Sequence, residues 1–292
     1  MSFSNHSTKH LLIRHLFRRP GDCAKPFSLM ALSDTELERY ARHIVLREVG
    51  GAGQAKLKAA RVLVVGAGGL GSPAILYLAA AGAGNIGIAD FDTVSLSNLQ
   101  RQIAHRTGDI GLAKTRSAAA NATAINPEVK FHEHDIRIDA QNVAALIAEY
   151  DIVADGSDNF ATRFLLNDAC YFANKTLVSA AVTEFDGQLA TFKAYDPELP
   201  CYRCIFPEPP PPGTAPSCSE TGVLGAAAGV MGTLQALEIL KEITGAGESM
   251  AGRLLIYEAL STRFRTVRVP KDPNCALCSA HPRISSLSVH GV

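Results

Sequence analysis

The chain has 292 residues, 47% hydrophobic and 19% charged, which suits one large core or two smaller ones. Its 28 Lys and Arg balance 28 Asp and Glu. No global charge therefore points to nucleic acid or an anionic membrane, and no apolar run reaches the roughly 20 residues of a membrane span.

Seven cysteines, an odd number without a secretory signal, argue against a disulfide framework and for a reducing, cytoplasmic setting. Residues 1–32 differ in character from the rest. Residues 9–20 (KHLLIRHLFRRP) are basic and acid-free, and Asp22 is the first acidic residue. A targeting segment, a disordered tail and an upstream start with Met30 as the usual first residue are the open readings. A disordered tail is the expectation carried forward.

Residues 33–46 (SDTELERYARHIVL) predict one helix, capped by Ser33 or Asp34 and broken by Gly50, Gly51 and Gly53. Residues 61–65 (RVLVV) are a continuous apolar run, as in a strand buried on both faces of a parallel sheet. A glycine cluster follows, then an Ala-rich helix over 73–81 and a strand over 85–90 (NIGIAD). Helices at 115–125, 142–149 and 163–173 alternate with strands at 129–134, 151–155 and 176–181. This rhythm predicts right-handed βαβ units, an α/β fold with a Rossmann-like, mostly parallel sheet. Strands at 187–195, 254–258 and 263–269 lack intervening helices in that rhythm and predict an antiparallel extension. Residues 207–216 (PEPPPPGTAP) form a proline-rich connection, and 223–243 a long, buried apolar helix.

Gly66, Gly68 and Gly71 match G-x-G-x-x-G, with Gly69 inside it, directly after a predicted strand and opening a helix. Glycines let the backbone approach a phosphate, and a helix N-terminus favours negative charge. Asp90, ending the second strand, is placed to take ribose hydroxyls. A ligand-free tight turn and an NAD-dependent oxidoreductase are the competing readings. Asp90 argues against the first, and residues 95–102 (SLSNLQRQ) with Lys114 against the second. Asn98, Arg101, Gln102 and Lys114 gather cations and amides beside the turn, which suits a reaction at phosphorus better than hydride transfer. Asp158, in DGSDN after the fourth strand, is a plausible Mg²⁺ ligand, and Asp155 can cap the same turn.

Two Cys-x-x-Cys pairs, Cys201 with Cys204 and Cys275 with Cys278, predict a four-thiolate Zn²⁺ site, closed and structural. Redox pairs or plain surface thiols are the alternatives. Cys170 reads as core, and His132 and His134 as exposed surface.

The motifs RVLVVGAGGLGS, DFDTVSLSNLQRQ, Lys114 and DGSDN resemble the ubiquitin-activating-enzyme-like superfamily, and within it the bacterial MoeB, ThiF and HesA proteins. The resemblance runs from about residue 32 to Cys278. It implies an adenylyltransferase domain over 33–280, with a C-terminal tail over 281–292. It implies that ATP phosphates lie on the glycine turn and ribose on Asp90. Asn98, Arg101, Gln102 and Lys114 would polarise the triphosphate, and Asp158 would hold Mg²⁺. It further implies that Arg42 reaches into a partner subunit's site, hence a homodimer. Read from residues alone, Arg42 is an ordinary surface arginine. Cys218, in SCSETGVLG, matches a position where some relatives form a thioester or acyl-disulfide and others do not.

The reaction implied is activation of the C-terminal glycine carboxylate of a ubiquitin-like sulfur-carrier protein, serving molybdopterin or thiamine synthesis, as an acyl-adenylate with release of pyrophosphate. No rhodanese-like segment follows Cys278, so a separate sulfur donor, a cysteine desulfurase or rhodanese, is expected. A non-catalytic scaffold and a related ATP-dependent enzyme acting on a tRNA or peptide are the other classes.

Overall fold

The computed structural model describes residues 32–211 and 222–291. The readings for the N-terminal segment and for Cys218 lie outside the described residues.

Eight strands form one sheet: β1 (Arg61–Val65), β2 (Asn85–Asp90), β3 (Lys130–Asp135), β4 (Ile152–Asp155), β5 (Thr176–Thr183), β6 (Asp186–Phe192), β7 (Arg253–Glu258) and β8 (Arg263–Arg268). Their order is β3-β2-β1-β4-β5-β6-β7-β8. The pairs from β3 through β5 are parallel, and those from β5 through β8 antiparallel. The fold is the expected α/β architecture with its antiparallel extension.

The strand β1 shows why the sheet is buried on both sides. Val62 and Val64 enter one core, with Ile75 and Leu78 of one helix and Met231 and Ile239 of another. Leu63 and Val65 enter the opposite core, with Ile147, Phe164 and Leu166. Alternation along a strand thus feeds two layers, and a run of apolar residues is needed to fill both.

Among the described residues the helices are α1 (Asp34–Arg39), α2 (Ala41–Ile44), α3 (Gly50–Ala59), α4 (Gly71–Ala81), α5 (Lys114–Ile125), α6 (Val143–Ala148), α7 (Phe160–Phe172), α8 (Tyr202–Ile205) and α9 (Gly225–Thr244). None of these is long and apolar enough to cross a membrane. The first expected helix is two. Ser33 caps α1 in a capping box with Glu36, and the chain bends at Tyr40 (φ −98°, ψ 12°). Tyr40 is 3% exposed and its hydroxyl accepts from Asn126 Nδ2 at 2.8 Å, so tertiary anchoring overrides helical periodicity there.

The glycines expected to end that helix instead open α3. A Cβ at Gly53 would lie 3.0 Å from Val49 Cγ1, so the low-propensity residue permits close packing. His134 departs from the surface expectation. It is half-buried, with Nε2 2.6 Å from the Tyr150 hydroxyl, whereas His132 is exposed. Cys170 is core, 2% exposed. The C-terminal stretch forms a 3-10 turn at Leu287–His290. There His290 Nε2 meets Asp168 Oδ2 on α7 at 2.8 Å.

Candidate functional site

The order β3-β2-β1-β4 reverses direction at β1, and the turn after β1 lies beside the turn after β4. A crevice at the carboxyl ends of such strands is where ligands bind in open α/β sheets. Both turns are built from glycine. Gly66 has φ +90°, and its N–H donates to Ala89 O at 2.8 Å. A Cβ on Gly71 would run into the carbonyl of Gly66. A Cβ on Gly156 would sit 3.2 Å from Gly71 N. The two turns therefore interlock only without side chains.

The turn faces the crevice with donors. Among the described residues, the N–H groups of Gly68, Gly69 and Leu70 donate to no protein group. They precede the N-terminus of α4, where unpaired amides and the helix dipole favour an anion. Asp90 accepts from Ala67 N at 2.8 Å and from Asp92 N at 2.9 Å. Both carboxylate oxygens hold backbone, so Asp90 is first a brace for the turn. A carboxylate still has lone pairs for a hydroxyl.

Two of the expected phosphate residues, Arg101 and Gln102, lie against the turn. A Cβ on Gly69 would lie 3.4 Å from Arg101 Cγ, so the arginine stem runs along the turn. Arg101 Nη1 donates to Ser97 O at 3.1 Å. Gln102 is 4% exposed, its Nε2 is the nearest group to a Cβ built on Gly68, and its Oε1 is buried without a partner. Lys114, first residue of α5, is 6% exposed and bonds Asp92 Oδ2 at 2.8 Å. Asp92 was not anticipated, although it stands two residues after Asp90 in the same motif. Asn98 lies one 3-10 turn before Gln102, and its Oδ1 accepts from Ser95 N at 3.2 Å, so it shapes the segment.

At the β4 rim, Asp158 is exposed and makes no hydrogen bond or ion pair with the described residues. Asp155 is fully buried. It accepts from Ser157 N (3.0 Å), Ser157 Oγ (2.6 Å) and Ser179 Oγ (2.7 Å), and Arg163 Nη1 lies 3.5 Å away. Asp155 thus fixes the turn that presents Asp158. Arg163 was not singled out from the sequence, where an arginine inside a helix has no distinguishing signal.

His105, a lone histidine in the connection from β2 to α5, carries no motif that would single it out. It is 6% exposed, with Nε2 2.9 Å from Ala67 O and Nδ1 2.8 Å from Ser117 Oγ. Burial pulls its pKa below the ordinary imidazole value, opposed by the Ala67 carbonyl and assisted by Lys114. Arg42 is not brought to the turn by its own chain. It stands exposed on α2 next to Val45 and Leu46, which are 69% and 49% exposed.

The four cysteines do converge. Cys201, the N-cap of α8, lies 3.9 Å from Cys204 and 3.6 Å from Cys275 between sulfurs, and Cys204 lies 3.4 Å from Cys278. All four sulfurs fall within 4.8 Å of one another. Zn–S bonds of about 2.3 Å at tetrahedral angles put sulfurs about 3.8 Å apart, so the donor set fits zinc. Neighbouring thiols, Cys201 foremost, pull Cys204 down to about 7 and lower Cys275 further, while Cys201 and Cys278 are pushed up. The four sulfurs could together hold a metal ion.

Between the first pair, Arg203 bonds Asp168 bidentately, Nε to Oδ1 at 2.8 Å and Nη2 to Oδ2 at 2.7 Å. Asp168 also accepts from Asn167 Nδ2 at 2.9 Å. Although burial raises the Asp168 pKa, bonds from His290 and Arg203 lower it more, and it lies below the ordinary carboxylate value.

Residues 40–277 match the ThiF family. The chain is 48% identical over 249 residues to the SAMP-activating enzyme E1 of Haloferax volcanii, covering 85% of this chain and 91% of that one. It is 45% identical over 258 residues to a sulfur carrier protein adenylyltransferase of Thermus thermophilus, covering 87% and 94%. Against the probable adenylyltransferase/sulfurtransferase MoeZ of Mycobacterium tuberculosis it is 48% identical over 246 residues, but spans only 63% of that protein. Among solved structures, E. coli MccB with ATP superposes with a TM-score of 0.72 at 21% identity, covering 82% of this chain and 74% of that one, a likeness of fold.

Proposed function

The chain belongs to the ThiF family, and from that premise we propose that it is an ATP-dependent adenylyltransferase acting on the C-terminal carboxylate of a ubiquitin-like sulfur-carrier protein. The observation that carries this reading is the rim itself. Three turn amides without a partner among the described residues lie beside the Arg101 stem and Gln102, and Lys114 pairs with Asp92, two residues past the Asp90 that braces the turn. The names of the Thermus and Haloferax relatives support the reaction class and the carrier.

In this reading the amides of Gly68, Gly69 and Leu70 take phosphate oxygens, and Asp90 adds a ribose hydroxyl to its backbone bonds. One carboxylate oxygen of the carrier's terminal glycine attacks the α-phosphorus. The new O–P bond forms as the bond to the bridging oxygen breaks, and pyrophosphate leaves. Arg101 and Lys114 stabilise the charge on the phosphates, with Lys114 exchanging Asp92 for a phosphate oxygen. Catalysis is alignment and charge neutralisation, with no enzyme nucleophile at this step. Asp158, presented bare by the Asp155 brace, would hold Mg²⁺. The four cysteines would hold a structural Zn²⁺, whose closed coordination leaves no position for a reactant.

The remaining elements of the reading rest on resemblance. Arg42 acts across a homodimer, which suits its exposed position beside Val45 and Leu46. Cys218 is a candidate for a covalent link to the carrier. Sulfur comes from a cysteine desulfurase or rhodanese, and the carrier serves molybdopterin or thiamine synthesis. The second activity in the name of MoeZ stays with that longer protein.

ATP–pyrophosphate exchange with each candidate carrier tests the proposal. Exchange is expected with one carrier and not with the same carrier lacking its terminal glycine. For the shared site, mixing Arg42→Ala with Arg101→Ala protein should restore about a quarter of the wild-type rate, because half the dimers hold one intact site. No restoration would place Arg42 outside the site.

A further inference from the structure

We propose that His105 is a positioning residue for the nucleotide, setting the direction of the amides that the glycine turn offers to phosphate. The inference rests on the ATP reading above and adds a side chain that touches no reactant. His105 lies in the connection from β2 to α5 and joins two separate elements of the rim. On one side its Nε2 is 2.9 Å from Ala67 O. A carbonyl oxygen can only accept, so the proton sits on Nε2. On the other side its Nδ1 is 2.8 Å from Ser117 Oγ, in the first turn of the helix that starts with Lys114.

Ser117 is itself held. Its Oγ lies 2.7 Å from Asp109 Oδ2, an oxygen that also takes Asn121 Nδ2 at 2.8 Å and Arg106 N at 2.9 Å. With its proton on Nε2 the ring can only accept at Nδ1, so the single Ser117 hydroxyl proton serves either Nδ1 or Asp109 Oδ2, and the imidazole sits between Ser117 and the phosphate turn. It ties the turn to the helix that carries Lys114.

The consequence follows from peptide geometry. Ala67 is clamped twice: Asp90 takes its N–H at 2.8 Å, and His105 donates to its carbonyl. A trans peptide is planar, with N–H and C=O antiparallel, so fixing Ala67 O fixes Gly68 N–H pointing away from the imidazole. A glycine-rich turn is conformationally permissive. With the Ala67–Gly68 peptide turned over, the turn would offer phosphate a carbonyl in place of an amide. The imidazole removes that freedom before a ligand arrives, which lowers the ordering that binding must supply.

Two variants separate this role from simple packing. In His105→Gln the amide can reach Ala67 O from a similar distance, whereas in His105→Leu the space is filled without a donor. Calorimetric titration of the full-length protein with MgATP should give a dissociation constant about tenfold higher for His105→Leu and within about threefold of wild type for His105→Gln. Amide hydrogen exchange of residues 66–70 in the free protein should be faster in His105→Leu than in the other two. Folded His105→Leu with wild-type affinity and wild-type exchange overturns the proposal. If His105→Leu fails to fold, His105→Asn, whose shorter side chain leaves Ala67 O without its donor, is read the same way; unchanged exchange of the turn would overturn the proposal. Failure of the wild-type protein to bind MgATP defeats the nucleotide reading, and the exchange comparison in the free protein still decides the hold of His105 on the turn.

Discussion

The glycine rim and the cysteine cluster are the two places where chain segments far apart in sequence converge on chemistry, and they are built in opposite ways. The rim works with backbone. Asp90 braces the Ala67 backbone and Lys114 pairs with Asp92, while three amides and Gln102 Oε1 are left without partners among the described residues. The cluster works with side chains and closes on itself, four sulfurs within 4.8 Å, flanked by the saturated Asp168–Arg203–His290 group. Unsatisfied buried polar groups are rare and expensive, so where they gather a ligand is implied. A saturated cluster implies a permanent part of the fold.

That contrast predicts where each perturbation registers: damage at the cluster in stability, damage at the rim in activity. Cys275→Ser, or prolonged chelation, should lower stability to chemical denaturation by more than the ~4 kcal/mol that marks exceptional single changes, since metal binding adds directly to folding free energy. A zinc-free protein of unchanged stability would remove the metal from the fold.

Asp168→Ala comes next. It leaves Arg203, 9% exposed at its side chain, facing an empty place, and should cost about 4 kcal/mol, as for breaking a buried ion pair. Gly71→Ala should cost about 3 kcal/mol by forcing the two rim turns apart, and unlike the cluster variants it should also weaken MgATP binding in the folded fraction. The smallest stability effect belongs to Arg101→Ala, expected within about 0.5 kcal/mol of wild type. Yet it should reduce pyrophosphate exchange by about a hundredfold or more, the scale of removing a charge-stabilising group. A variant of Arg101 that is unstable but active would invert the comparison.

The contrast also explains what was legible in the residues. The run RVLVV, the glycines after it and the acid ending NIGIAD carry their meaning locally, because strand burial, backbone clearance and spacing are local properties. The paired cysteines are legible because metal geometry demands close spacing within each pair. Tyr40 breaks its helix through a bond to Asn126, 86 positions away, and no periodicity reports that. In α3, Gly50 takes φ +61° and a Cβ on Gly53 would meet Val49 Cγ1 at 3.0 Å and Thr244 Cγ2 at 3.5 Å, reasons invisible to propensity. Asp92, His105 and Arg163 act on neighbours the fold supplies, so their roles emerge only in three dimensions. The ion pair of Lys114 with the half-exposed Asp92 has no signal in the sequence.

The central claim is that the rim activates a carrier's carboxylate on ATP. Pyrophosphate exchange measured on purified protein with MgATP and a glycine-terminated ubiquitin-like carrier tests it most directly. The account predicts carrier-dependent exchange that disappears in Arg101→Ala. Tight binding of NAD with no exchange in the presence of any such carrier would contradict it.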